Sequence, residues 1–219
     1  MAGDVGFVLF GLTGGFASGK SSVAAHWKTR RLPVIDADDI AREVLAKGSA
    51  GLAEVVQTFG DAVLMPDGSL DRKKLASIVF GSEEARKKLE GITHPRIVAA
   101  TLQRASDLEA KAESVACYEA SLLVERGLAD LFRPLVVVAS DESRQIARAR
   151  ARDGLSEDEA RARLRAQLPL KDKLLAADYV IRNDGDMKAL MAAADDVLDA
   201  ICKKAGVEPE RYPRMGRRR

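Results

Sequence analysis

Cysteine and histidine are scarce in this 219-residue chain, two of each. Cys117 and Cys202 are too few and too far apart for a disulfide framework or a zinc-ligand pattern. Cys117 lies in the apolar run Val115-Ala116-Cys117-Tyr118 and reads as a small, reduced core residue. Long apolar stretches are missing as well: none approaches the roughly 20 residues that cross a bilayer, which excludes a helical membrane span. The N-terminus has neither the basic start nor the continuous apolar segment of a secretory signal, so a cytoplasmic location is expected. An excess of one charge is also lacking. The formal net charge of +2 is too small to argue for a nucleic-acid partner.

Five arginines close the chain between Arg211 and Arg219. Their default reading is a frayed, solvated terminus, and the alternative is an accessory anion-binding arm. His26 reads as a surface or packing residue, and His94, before Pro95, as ordering the start of a helix. The chain as a whole, 47% hydrophobic and 31% charged, suits one α/β domain with insertions.

What is present starts with the run GLTGGFASGKSS, Gly11 to Ser22. Gly14, four residues, then Gly19-Lys20-Ser21 fits a phosphate-binding loop, G-x-x-x-x-G-K-[ST]. Glycines let the backbone curl into a nest of N–H donors. Lys20 reaches the outer phosphates, the Ser21 hydroxyl suits a magnesium ion, and the following helix aims its positive end at the same charge. The context agrees, with a strand expected at Phe7–Phe10 and a helix continuing from Ser22 to Lys28. The nucleotide contacts are expected from Gly14, Gly15, Phe16, Ala17, Ser18, Gly19, Lys20, Ser21 and Ser22.

Further β-rich runs at Pro33–Ile35, Ser114–Tyr118, Leu135–Ala139 and Tyr179–Ile181 alternate with helix-like stretches. That alternation predicts an α/β fold, a parallel five-stranded sheet with flanking helices. Two stretches depart from it. Residues 50–113 carry only helical signals: Gly51–Phe59, Asp71–Val79, Ser82–Gly91 as an N-capped helix, and Pro95–Lys111, with a turn at Asp67-Gly68. Leu70, Leu75, Ile78 and Val79 in it either form core or line a groove. Residues 143–173 hold seven arginines between Arg144 and Arg165, followed by Lys171 and Lys173. A break at Asp153-Gly154 suggests a hinged cationic lid that excludes water from an activated phosphate. For any single arginine the favoured reading is Glu–Arg pairing, with Glu157 and Glu159 at helical spacing from Arg161 and Arg163, and the lid reading belongs to the cluster as a whole.

A phosphoryl acceptor needs a carboxylate to orient its hydroxyl and accept its proton. Asp36-Ala37-Asp38-Asp39 follows the second strand, at the sheet edge where α/β folds bind ligands. Asp36 and Asp38 both qualify, while Asp39 reads as a cap for a helix from Ile40 to Leu45. Glu119, after the third strand, is a candidate for holding magnesium, although one acidic residue after one strand is common.

With these motifs in place, the chain resembles the dephospho-CoA kinase family. The resemblance rests on GLTGGFASGKSS, VIDADDIAREVL (34–45), DGSLDRKKLASIVF (67–80), ITHPRI (92–97), SLLVE (121–125), the stretch 145–153 and AADYVIRNDG (176–185), in order over residues 7–205. It implies a phosphate-loop kinase fold with one domain at 5–206. Its core would be 5–49, 114–142 and 174–206, with a helical CoA-binding insertion at 50–113, a lid at 143–173 and a basic tail at 207–219.

It also implies transfer of the ATP γ-phosphate to the ribose 3′-hydroxyl of dephospho-CoA. Asp38 would be the general base, Lys20 would sit on the transferring phosphate, and Arg148 would stabilise its charge. Ser21 and Glu119 would be magnesium ligands, and Asn183 and Gly185 would lie near the adenine. ATP and dephospho-CoA are the expected partners, with no nucleic acid or membrane, acting as a monomer or weak homo-oligomer. Ala17, Ser22, Glu119 and Ser121 depart from the residues usual in that family. Another small-molecule or nucleoside monophosphate kinase is the alternative. A GTPase-like switch would need an Asn-Lys-x-Asp segment, which the sequence lacks.

Overall fold

Val136, Val137 and Val138 are buried on both faces of one strand, which places that strand in a parallel sheet covered by helices. The computed structural model, which describes residues 6–214, contains such a sheet. Its strands are β1 (Val8–Gly14), β2 (Val34–Asp36), β3 (Val115–Glu119), β4 (Leu135–Ala139) and β5 (Tyr179–Arg182). They lie in the order β2-β3-β1-β4-β5 and all run parallel, as expected for the phosphate-loop kinase fold. β1 runs past the expected Phe10, because β3 pairs with it as far as Leu12 and β4 as far as Gly14.

The helices, in chain order, are α1 (Lys20–Thr29), α2 (Ala37–Val44), α3 (Ala50–Phe59), α4 (Arg72–Phe80) and α5 (Glu83–Ala110). Then follow α6 (Glu142–Asp153), α7 (Glu157–Arg165), α8 (Leu170–Leu175) and α9 (Met187–Lys204). Contacts divide the chain into two compact units: residues up to Ile35 together with those from Leu108 onward, and Asp36–Asp107.

In the first unit, the apolar face of α1 meets the sheet and α9. Trp27 packs edge-on against Phe10, 5.4 Å between ring centroids, and its indole N–H donates to the Ala194 carbonyl at 2.9 Å. Next to it the fully buried Arg30 donates to the Tyr212 carbonyl and to Asp195 and Asp199 of α9. His26 Nε2 lies 2.7 Å from Asp195 Oδ1, consistent with a packing residue.

This network overturns the expectation of a frayed terminus for Arg211–Arg214. Tyr212 is buried, with its hydroxyl donating to the Val115 carbonyl, and Arg214 pairs with Asp196 and Asp199. The acidic face of α9 supplies these partners, and a terminus held that way does not fray. The rest of the tail, 215–219, lies outside the described residues.

The second unit has its own core of Leu45, Val55, Val63, Leu75 and Ile92, with Leu70, Ile78 and Val79 packed against it. Local capping explains its helix starts. Ser49 accepts from Leu52 N–H, Asp71 from Lys74 N–H and Ser82 from Ala85 N–H. The Asp67-Gly68 turn closes an isolated antiparallel bridge between Leu64 and Leu70, with Gly68 at φ 80°.

Two expectations are corrected in this unit. Asp39 does not cap α2: Asp36 does, its carboxylate accepting from Asp38 and Asp39 N–H at 2.8 and 3.3 Å, while Asp39 pairs with Arg42. His94 does not order a helix start, because α5 is continuous across Pro95. Pro95 can offer no N–H to the turn before it. The carbonyl that loses its helical donor is that of Gly91, and on either side of it Thr93 donates its hydroxyl to the Leu89 carbonyl and Arg96 its guanidinium to the Ile92 carbonyl.

Candidate active site

β1 delivers the chain to Gly14 on the sheet edge where β3 ends at Glu119. The loop then turns through Gly15 to Gly19 into α1. Two glycines are required by space. A Cβ on Gly14 would lie 2.6 Å from Ser18 Oγ and 2.7 Å from the Val138 carbonyl. Gly19 has φ 100°, and a Cβ there would meet Asn183 Nδ2 at 2.2 Å. Ala17 holds a left-handed φ of 53° without being glycine, a costly conformation for a residue that carries a Cβ.

Such a loop presents its N–H groups to one side only if its carbonyls are satisfied on the other. Arg148 on α6 donates to the Ala17 carbonyl at 2.9 Å and the Ser18 carbonyl at 3.3 Å. Asn183, just past β5, donates its amide to the Ser18 carbonyl at 2.7 Å. The Asn183 carbonyl in turn accepts from Arg148 at 2.6 Å and from the Ser140 hydroxyl at 2.9 Å. Burial, together with neighbouring Arg144, pulls the Arg148 guanidinium below its ordinary value, and Asp184 opposes them. The Ser18 hydroxyl is buried and finds no partner among the described residues.

Lys20 opens α1, and its ammonium donates to Glu119 Oε1 at 2.6 Å with both side chains largely buried. Ser21, the next residue, is exposed. Gly185 lies beyond Asn183 with the Ala189 methyl 3.3 Å from where its Cβ would be. Asp36 closes β2. Asp38, in the first turn of α2, is exposed and belongs to the unit of residues 36–107.

The arginine-rich hairpin, α6 and α7, turns at Gly154 with φ 67° and ψ 18°. Arg161 pairs with Glu157 and Glu142, and Arg152 with Asp153, so these arginines follow the ion-pair reading. Glu159 instead completes a capping box with Ser156. Arg163 and Arg152 lie over the Phe16 ring, 5.4 and 6.0 Å from its centroid. Phe16 N–H donates to Gln167 Oε1 at 2.7 Å, and Gln145 Nε2 donates to the Phe16 carbonyl at 2.8 Å. Gln167 and Ser140 escaped sequence reasoning, since a neutral polar side chain without periodic spacing carries no local signal.

A parallel sheet edge carrying a glycine-rich loop, a paired lysine and a helix start defines a protein of the phosphate-loop kinase fold. Shikimate kinase from Acinetobacter baumannii shares this fold at a TM-score of 0.50 and 15% identity, covering 90% of this chain and 98% of that one. The dephospho-CoA kinase family model matches residues 8–189. A dephospho-CoA kinase of Anaeromyxobacter dehalogenans is 45% identical over 190 residues, 87% of this chain and 90% of that protein. The solved dephospho-CoA kinase from Campylobacter jejuni superposes with a TM-score of 0.68 at 30% identity, covering 90% of this chain and 98% of that one. The chain belongs to the dephospho-CoA kinase family.

Proposed function

We propose that this kinase transfers the γ-phosphate of ATP to the ribose 3′-hydroxyl of dephospho-CoA, giving CoA and ADP in the last step of CoA synthesis. The observation that carries this reading is a buried Lys20–Glu119 pair under a phosphate loop, in a chain whose family match spans residues 8–189. The transferred phosphorus bonds to the 3′-oxygen as its bond to the ADP oxygen breaks, and Asp38 accepts the hydroxyl proton. Its exposed carboxylate, just past the end of β2, supports that role. Lys20 leaves Glu119 for the outer phosphates and neutralises charge gathering on the leaving oxygen. Arg148 stabilises charge on the transferring phosphate in this reading, and without nucleotide it and Asn183 hold the loop carbonyls of Ala17 and Ser18 away from the phosphate site. Gly185 lies toward the adenine in this reading.

Magnesium brought with ATP neutralises phosphate charge when bound. The Ser21 hydroxyl and Glu119 carboxylate are hard oxygen donors of the kind it takes, and substrate phosphates and waters complete such sites. No group of three or more metal-ligating side chains occurs among the described residues, and a site shared with phosphates does not require one. No helix there is long and apolar enough to cross a membrane. Cytoplasmic action as a monomer or weak homo-oligomer, without nucleic acid, completes the proposal.

The test is mass-spectrometric detection of product after incubation with ATP, magnesium and dephospho-CoA, beside parallel reactions with AMP, CMP or adenosine. CoA formed in the first reaction alone supports the assignment. Phosphate on a nucleotide acceptor alone refutes it and favours a nucleoside monophosphate kinase.

A further inference from the structure

One residue of the phosphate loop is gripped from three directions by a single hairpin. Gln145 sits in the first turns of α6, is largely buried, and donates to the Phe16 carbonyl at 2.8 Å. Gln167 lies just past the end of α7 and accepts from Phe16 N–H at 2.7 Å. Arg152 and Arg163, between those stems, lie over the Phe16 ring. Both ends of the arginine-rich hairpin therefore meet at the same residue, in the stretch of loop whose N–H groups form the phosphate nest.

The two glutamine contacts differ in one respect. A backbone N–H carries a single hydrogen, so Phe16 serves Gln167 or a phosphate oxygen. A backbone carbonyl is an acceptor, as phosphate is, so a phosphate oxygen cannot replace Gln145 as the donor to it. A hydrogen bond to an anionic oxygen is about twice as strong as one to a neutral amide, so exchange from Gln167 to phosphate is favoured. We propose that Gln167 is a positioning residue, a stand-in acceptor that holds the Phe16 amide in the nest until a phosphate oxygen of the nucleotide takes it. Gln145 keeps its bond throughout and anchors the other stem. Nucleotide binding thereby unfastens one end of the hairpin while the other remains attached, which couples the cationic hairpin to occupancy of the loop.

The inference rests on the nucleotide-binding part of the proposed function and not on the identity of the acceptor. It predicts opposite signs for two substitutions on the same loop residue. ATP affinity in the presence of magnesium is to be measured by titration calorimetry on the full chain and on Gln167→Leu, Gln167→Glu and Gln145→Leu, with circular dichroism to establish folding. Gln167→Leu is expected to bind ATP about fivefold more tightly, the factor that one net hydrogen bond is worth. Gln145→Leu is expected to bind it more weakly, because its contact persists in the complex.

Gln167→Glu retains an acceptor but makes it anionic, so it competes harder, repels phosphate and weakens binding by at least about fivefold. Weaker or unchanged affinity in Gln167→Leu overturns the proposal. Should that variant fail to fold, unchanged affinity in Gln167→Glu overturns it instead. Wild-type protein that binds ATP but forms no CoA would overturn the acceptor assignment and leave this test standing.

Discussion

Glu119→Ala tests the centre of the site. Lys20 and Glu119 are in contact at 2.6 Å with side-chain exposures of 10% and 4%. At an effective dielectric constant of about 20, attraction at that distance is about 6 kcal/mol, and desolvation of the two groups cancels much of it. Removing one partner of a buried pair leaves the other charge uncompensated and typically costs about 3–5 kcal/mol. Lys20 has a flexible stem with which to reach water, so the lower end, about 3 kcal/mol, is expected. In a chain of this size that corresponds to a melting temperature lower by about 6–12 °C.

The assay is urea and thermal unfolding of wild type, Glu119→Ala, Lys20→Met and the double variant. A coupling of at least about 2 kcal/mol in that cycle is expected, because the second substitution removes a charge that the first has stranded. Saturating ATP without magnesium should raise the melting temperature of Glu119→Ala more than that of wild type, since phosphate replaces the lost carboxylate as partner to Lys20. A single variant within about 1 kcal/mol of wild type, or additive effects in the cycle, would refute the reasoning.

Asp38→Asn should keep ATP affinity and lower turnover by about 100-fold or more, because proton acceptance alone is lost; calorimetry with steady-state kinetics would show otherwise if turnover stayed normal. Gly19→Ala should abolish measurable ATP binding, since its Cβ would collide with Asn183 and its φ of 100° is closed to alanine; retained binding would contradict the packing. Although burial opposes it, hydrogen bonds from Arg30 and Arg214 hold the Asp199 carboxyl below its ordinary 3.8. A depressed folded value means that this stabilisation is complete above the unfolded value and is lost as pH falls below about 4. Asp199→Asn should therefore be less stable at pH 7 and show a smaller drop in urea midpoint between pH 5 and pH 3; an unchanged drop would remove Asp199 from the acid response. Burial pushes the Cys202 thiol up to about 11, so at pH 8 a disulfide reagent should label it only on unfolding, and rapid labelling of the native protein would count against that burial.

Much of the site was legible because it is local. The spacing from Gly14 to Ser21 is a backbone requirement of the nest, and the apolar run before it had only to be a strand. The sheet was legible too, since runs such as Leu135–Ala139 are apolar on both faces. Boundaries were less so. Gly11, Thr13 and Gly14 look like loop residues, yet β3 and β4 extend β1 through them. Pro95 looks like a helix break, yet α5 continues across it. Asp36, Asp38 and Asp39 were recognisable as a group, but which of them caps α2 depends on where β2 stops.

By itself the sequence determined the phosphate loop, the alternation of strand and helix, and the family, because each depends on residue types at short spacing. Tertiary structure decided what those residues touch. Glu119 meets Lys20 across 99 positions, Gln167 meets Phe16 across 151, and Arg30 holds the Tyr212 carbonyl across 182. Such pairs carry no periodic signal. They arise because the strand order sets β3 and β4 on either side of β1, bringing distant segments to the edge where the loop turns, and because buried polar groups brought there must pair with one another.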